Sequence, residues 1–320
     1  MTTGSPPDFT TRSALFVAPF LTDPDSGGGL VSRMNLACLR RAIPRVEALA
    51  LSRATSGDGF TAIGNPGGPL ATALCNLFLL AGRLTPAGLM WVLRRVRARR
   101  PDVVFLDSSS LGWIALLARW LAPGTGVVAF FHNVEFDFQR ERSRAEGRRY
   151  LLSAAAEWVN EWLTVRSAHV LLTLTEEDAQ RVARLYGRRP DRQWPVCLSD
   201  APGAGALPDP ASRDDAVLFV GSGFFANREA VAFLVRQVAP ELARRGTTRI
   251  RIAGSGFGRA DWPGELPDNV DLLGRVPDLA PCYRQVRAFV APVFSGAGMK
   301  VKVAEALMHG LPVIGTPLAL

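Results

Sequence analysis

Residues 217–227 read VLFVGSGFFAN. Four apolar residues run into Gly221-Ser222-Gly223, and the chain then leaves in a helical pattern. A strand that enters a glycine turn and exits as a helix is the opening unit of a parallel α/β sheet. Glycine lets backbone N–H groups come close to an anion, and the helix N-terminus adds the positive end of its dipole. The spacing also fits the Gly-x-Gly-x-x-Ala dinucleotide fingerprint. Its expected acid, Glu241, falls inside the next helical pattern, whereas the ribose carboxylate of that fingerprint stands at the end of the next strand. A second turn, Gly254-Ser255-Gly256, follows the apolar run 249–253. Two glycine turns at adjacent strand ends suit a phosphate-rich ligand.

The same alternation extends in both directions. Downstream, strands are expected at 270–273, 288–292 and 312–314, with helices at 227–244, 278–286 and 300–309. Upstream, strands are expected at 14–20, 46–51, 103–106, 126–131 and 170–174. Helices are expected there at 30–43, 69–82, 86–100, 111–121, 137–166 and 176–186. The rhythm breaks over 188–213, which holds Pro190, Pro195, Pro202, Pro208 and Pro210 with Gly203 and Gly205. Proline and glycine at that density read as a linker. The reading is an α/β protein of two Rossmann-like domains with parallel sheets, residues 1–187 and 214–320. A chain of 320 residues agrees, since a single core rarely organises so many.

Composition narrows the partners. The chain has 37 basic and 29 acidic residues, a net charge of +8, which favours anionic ligands or surfaces. Four cysteines with no C-x-x-C exclude a disulfide scaffold and a zinc knuckle and point to a reducing compartment. No stretch of about 18 apolar residues is free of charge, and the N-terminus lacks the order of a signal peptide. A cytoplasmic protein is expected. The apolar stretch Pro69–Gly82 is followed by Arg83, Arg94, Arg95, Arg97, Arg99 and Arg100. Such a sequence can lie on an anionic bilayer, giving peripheral contact at the inner membrane, or form a core helix beside a solvated one. The basic residues show no aromatic interleaving on a nucleic-acid module, so no nucleic acid is expected.

Few residues can carry chemistry. Of three histidines, His132 follows the apolar run 126–131, at the strand end where open α/β sheets place ligands. His169 and His309 read as structural. The only lysines are Lys300 and Lys302. They follow the small-residue loop Ser295–Gly298, whose Gly296 and Gly298 offer backbone donors, and precede Glu305. Lys302 and Glu305 share a helix face, with a positive charge for phosphate and an acceptor for ribose hydroxyls. Gly27-Gly28-Gly29 forms a third glycine turn between a strand and a helix. No histidine–carboxylate spacing suggests a metal site.

Read together, VLFVGSGFFAN, Asn269–Asp278 (NVDLLGRVPD), Ser295–Pro317 and His132–Glu135 (HNVE) resemble the GT-B glycosyltransferases of family 4, the group 1 glycosyltransferases. The resemblance implies two Rossmann-like domains facing across a cleft, the first binding the acceptor and the second the nucleotide-sugar. It implies that Glu305 binds the ribose and that Lys302 and Lys300 neutralise the diphosphate. Gly221 and Ser222, with Gly296 and Gly298, would line the donor site, and Gly274, Arg275 and Val276 would contact the base. Gly28 and Gly29 would lie near the phosphates, and His132 beside the transferred sugar. The implied reaction is transfer of a hexose-type sugar to a glycan, lipid-linked or small-molecule acceptor, as in polysaccharide biosynthesis. Retention of configuration without a metal or other cofactor is implied as well.

Two departures qualify the resemblance. The family's first glutamate of Glu-x7-Glu would stand eight positions before Glu305, where this chain has Ala297. Relatives also continue beyond the last expected strand, so the chain reads as C-terminally truncated. Both leave open a non-catalytic GT-B scaffold or nucleotide-binding protein, and the fingerprint match leaves an NAD-dependent oxidoreductase as a third reading.

Overall fold

The computed structural model describes residues 12–23, 26–52, 56–57, 59–64, 68–81, 83–196, 198, 209–295 and 301–320. Described residues before 197 form one compact unit and those after it a second.

The first unit contains β1 (Ser13–Ala18), α1 (Gly27–Ala42), β2 (Arg45–Ser52), β3 (Thr61–Gly64), α2 (Pro69–Leu77), α3 (Pro86–Arg99) and β4 (Val103–Leu106). It continues with α4 (Gly112–Leu121), β5 (Gly126–Phe131), α5 (Glu135–Glu146), α6 (Leu151–Ser167), β6 (Val170–Thr173), α7 (Glu176–Tyr186) and β7 (Arg192–Gln193). Its seven strands run in the order β3-β2-β1-β4-β5-β6-β7, every pairing parallel. A parallel sheet covered on both faces needs strands that are apolar throughout. Accordingly Ala14 to Ala18 are all buried, with Leu15 and Val17 in the main core and Phe16 stacked on Phe105.

The second unit contains β8 (Asp214–Val220), α8 (Phe225–Phe233), α9 (Ala239–Arg245), β9 (Arg249–Ala253), β10 (Val270–Gly274), α10 (Ala280–Gln285), β11 (Val286–Ala291), α11 (Val301–Met308) and β12 (Val313–Gly315). Its order is β10-β9-β8-β11-β12, again all parallel. In each unit the first strand lies between the second and the fourth or equivalent later strand. The winding therefore reverses between β1 and β4, and between β8 and β11. Ligands of open α/β sheets bind outside the carboxyl ends of strands at such a reversal.

Local chemistry explains both ends of α7. Thr175 caps α7 through the Asp178 N–H, three acids occupy the first turn, and Gly187 closes it in the left-handed region,. Three expectations are corrected. The helix expected at 137–166 is two helices, because Gly147 turns the chain at φ 109° and a short 3₁₀ turn, Arg148–Tyr150, follows. The helix expected at 227–244 is interrupted by a π turn over Leu234–Val238, just before Pro240. Proline cannot donate to the ladder and crowds the carbonyl four residues back, so the helix widens there. The helix expected at 69–82 stops at Leu77, and Leu79 takes a positive φ. Within the stretch read as linker, Arg192 and Gln193 extend the first sheet as β7, pairing with Leu172 and Thr173.

Helices α4 and α6 cross so closely that a Cβ at Gly112 would lie 2.1 Å from the Asn160 carbonyl oxygen. Gly112→Ala is therefore expected to force the helices apart and lower the thermal midpoint by about 2–10 °C. Gly124 faces open space, and Gly124→Ala is expected to melt like the wild type. Equal midpoints for the two variants would contradict this packing.

Candidate active site

In the second unit the two glycine turns interlock. The Gly221 N–H donates to the Ala253 carbonyl at 3.0 Å and the Gly223 N–H to the Ser255 carbonyl at 2.7 Å. Gly254, at φ 137°, is pressed against Gly221, where a Cβ would fall 1.8 Å from the Gly221 oxygen. Part of the glycine requirement is therefore backbone against backbone. The Gly254 N–H reaches the Gly274 carbonyl at 2.7 Å, which adds the NVDLLGRVPD loop to the same stack. Gly274 itself has φ 63°, Arg275 is exposed and Val276 packs partly on the core.

Lys302, in the first turn of α11, comes to this stack from 75 residues away. Its Nζ donates to Asn227 Oδ1 at 2.7 Å and sits over the Phe219 ring at 4.6 Å. The Asn227 amide in turn donates to the Ser222 carbonyl at 2.8 Å. A half-buried ammonium is thus held beside the turn at the end of β8, next to the point where winding reverses. One helical turn on, Glu305 accepts a hydrogen bond from the Tyr283 hydroxyl at 3.2 Å. Burial raises the Glu305 pKa above its ordinary value, while that hydrogen bond lowers it. Tyr283 is buried and stacks on His309, ring centroids 5.0 Å apart. Gly296, Gly298 and Lys300, with Ala297, lie outside the described residues.

In the first unit His132 stands at the end of β5 and Asp107 just beyond β4. His132 Nε2 lies 3.0 Å from the Asp107 carbonyl and 3.2 Å from its carboxylate. Both partners accept, so Nε2 carries a hydrogen. Nδ1 is buried and meets no hydrogen-bond partner among the described residues. Asp107 is fully buried and also accepts from Ser32 Oγ and, at 2.7 Å, from Asn35 Nδ2, both on α1. The ring of Phe20 packs edge-on against His132 and fills the space beside Gly28. Gly29 is needed for a different reason. Its N–H is bonded to the Ser26 capping hydroxyl, and a Cβ would collide with the Asp23 carbonyl at 1.8 Å.

The structure therefore joins Gly221, Ser222 and Lys302 in one cluster, with Gly274 in the adjoining stack. Glu305 lies on the same helix as Lys302 but is engaged by Tyr283. Asp107, Asn227 and Tyr283 are site residues that sequence reasoning missed. Asp107 had a signal, an acid directly after the apolar run VVFL. Among the described residues no three His, Cys, Asp or Glu side chains converge to hold a metal ion.

Residues 35–195 match the family model described as Glycosyltransferase Family 4, and residues 214–320 match the one described as Glycosyl transferases group 1. The first of these spans half of the sequence. The chain belongs to glycosyltransferase family 4. Solved structures agree with that membership at the level of fold, which is GT-B. HepE of Anabaena, in complex with UDP and glucose, superposes with a TM-score of 0.65 at 13% identity, over 96% of this chain and 81% of that one. The lipopolysaccharide outer core galactosyltransferase WaaB, in its apo form, gives 0.62 at 14% identity, over 97% and 82%. The glycosyltransferase SnogD from Streptomyces nogalater gives 0.50 at 19% identity, over 96% and 83%. No curated protein matches the chain.

In this glycosyltransferase Asp107 gathers three donors in a buried position. Asp107→Ala strands Ser32, Asn35 and His132 and is expected to cost about 2–4 kcal/mol of stability. Urea denaturation checks this, and a loss near zero would contradict the network.

Proposed function

We propose that the chain transfers a hexose-type sugar from a nucleotide-sugar to a glycan, lipid-linked or small-molecule acceptor, retaining anomeric configuration without a metal or cofactor. The observation that carries this reading is Lys302 held by Asn227 at the glycine turn after β8. Breaking the glycosidic C–O bond puts negative charge on a nucleoside diphosphate. A fixed ammonium stabilises that charge, and such electrostatic stabilisation is commonly the largest catalytic contribution. Glu305, steadied by Tyr283, accepts from the ribose hydroxyls, and the loop Gly274-Arg275-Val276 borders the base. His132, its ring fixed by Asp107, borders the acceptor side of the chemistry. A UDP-type donor is favoured by HepE, whose structures hold UDP and UDP-glucose.

Two observations weigh on the alternatives. Ala297 in place of the family's first glutamate favours a scaffold that binds nucleotide without turnover. An NAD-binding role lacks its acid: β9 ends at Ala253 and Gly254 follows, while Glu241 is engaged on α9 by Arg244 and Arg245.

Kinetics with a panel of nucleotide-sugars separate these readings. Lys302→Ala is expected to lower kcat/KM by about 10²–10³-fold. Glu305→Gln is expected to weaken UDP binding about ten-fold through a poorer acceptor. Nucleotide binding with no turnover for the wild type would support the scaffold, and preference for NAD over UDP would overturn both.

A lipid-linked acceptor would suit an exposed apolar face of the first unit. Helix α2 exposes Leu70 (82%), Leu74 and Leu77, at i, i+4 and i+7 on one helical face, and the capping Phe78 (68%) follows them. No helix among the described residues is long and apolar enough to cross a membrane, so the contact we propose is peripheral. Flotation with anionic liposomes is expected to carry the wild type and to lose a Leu74→Glu/Phe78→Glu variant. Equal flotation of both would remove α2 from the contact.

A further inference from the structure

A second buried carboxylate lies behind His132, with no role so far. Glu161 sits in the middle of α6 with no exposed surface. Its Oε1 accepts from Ser109 Oγ at 3.0 Å and from the Glu135 backbone N–H at 2.8 Å. Its Oε2 accepts from the Phe136 N–H at 3.3 Å and from the Tyr186 hydroxyl at 2.6 Å. Glu135 and Phe136 open α5, whose own capping position is Val134, a residue with no side-chain acceptor. Glu161 therefore caps α5 from another helix, satisfying two of the donors a helix start leaves open. Ser109 belongs to the turn that follows Asp107, and Glu135 to the turn that follows His132. One carboxylate thus ties together the two loops whose side chains meet at the His132–Asp107 hydrogen bond.

We propose that Glu161 is a positioning residue that locks the β4–α4 turn to the β5–α5 turn and so sets His132 against Asp107. Its consequence for catalysis rests on the reading of His132 given above; its structural part does not. Thr164, one turn along α6, supports the lock by donating to the Ser109 carbonyl at 2.8 Å. The arrangement is selective for a carboxylate. Four donors converge on two oxygens, and a carboxyl group can meet all four, its own proton when held turning to the Tyr186 hydroxyl, whereas an amide sets an NH₂ against a backbone N–H.

The groups facing Glu161 are Glu135 on α5, Glu157 on α6 and Tyr186 on α7. Burial pushes the Glu161 carboxyl up to about 7 against the pull of its four donors. Burial, then Glu157 and Glu161, push Glu135 up as well. For Glu161 the folded value exceeds the ordinary 4.5. Its stabilising contribution is then complete below that value and is lost as pH rises through about 7.

The test uses Glu161→Gln, Glu161→Ala and Ser109→Ala in the whole chain, well below their melting temperatures. Glutamine keeps one acceptor oxygen for Ser109 and Glu135 but sets an amide NH₂ against the Phe136 N–H. The expected result is graded: amide exchange of Glu135 and Phe136 at least ten-fold faster in Glu161→Ala, with Glu161→Gln between it and the wild type. Turnover is expected to fall ten-fold or more in Glu161→Ala, with donor KM and UDP affinity unchanged within two-fold, and to be partly rescued in Glu161→Gln. The fall in stability between pH 5 and pH 8 is expected to shrink in Glu161→Gln. Unchanged exchange in Glu161→Ala and Ser109→Ala would overturn the lock. Faster exchange with unchanged turnover would overturn the positioning of His132. A wild type that binds no nucleotide-sugar would overturn the proposed function instead, while exchange would still judge the lock.

Discussion

Both candidate sites depend on one constraint of parallel sheets: where the winding reverses, neighbouring strands send their connections to opposite faces and leave a gap at their carboxyl ends. The gap is unavoidable once the order is β3-β2-β1-β4-β5 in one unit and β10-β9-β8-β11-β12 in the other. What each unit places there differs. The first fills it with a buried acid, Asp107, and the histidine it orients. The second fills it with glycine backbone and one lysine. An acid with three donors makes a rigid corner, whereas an ammonium beside tightly packed glycine turns offers positive charge to anionic oxygen.

The glycine turns serve two demands at once. Gly254 is required by its neighbour, because any side chain would strike the Gly221 oxygen. Gly221 and Gly223 bring N–H groups to the same place but spend them on Ala253 and Ser255. The stack is therefore set by its internal bonds before any ligand arrives. Such preorganisation means that little must be rearranged when charge develops. Lys302 is treated the same way, its position fixed by Asn227 and by the Phe219 ring rather than by long-range attraction alone.

Periodicity made most of the fold legible. Buried strands such as ALFVA and GVVAFF are apolar throughout, and glycine or proline marks their ends, so the expected strands lie close to the observed ones. The failures are local and have physical causes. Pro240 widens a helix without ending its apolar pattern, and Gly147 with φ 109° splits one that no proline interrupts. At the sites, residues with distinctive chemistry and few copies, His132 and Lys302, stood out. Asp107 and Glu161 did not, because their meaning lies in partners far along the chain: Asn35 is 72 residues from Asp107, and Ser109 is 52 from Glu161. An acid in an amphipathic helix reads as solvated until the fold buries it, and Tyr283 reads as core until Glu305 is beside it.

Everything proposed for the donor rests on the second unit recognising a nucleoside diphosphate at the reversal between β8 and β11. Amide chemical-shift mapping with UDP-glucose and, separately, NAD reads this out residue by residue. UDP-glucose is expected to shift Gly221, Ser222, Gly223 and Asn227 together with Tyr283 and the first turn of α11, and NAD is expected to leave them in place. No shift at these residues with UDP-glucose, or shifts at them with NAD alone, would contradict it.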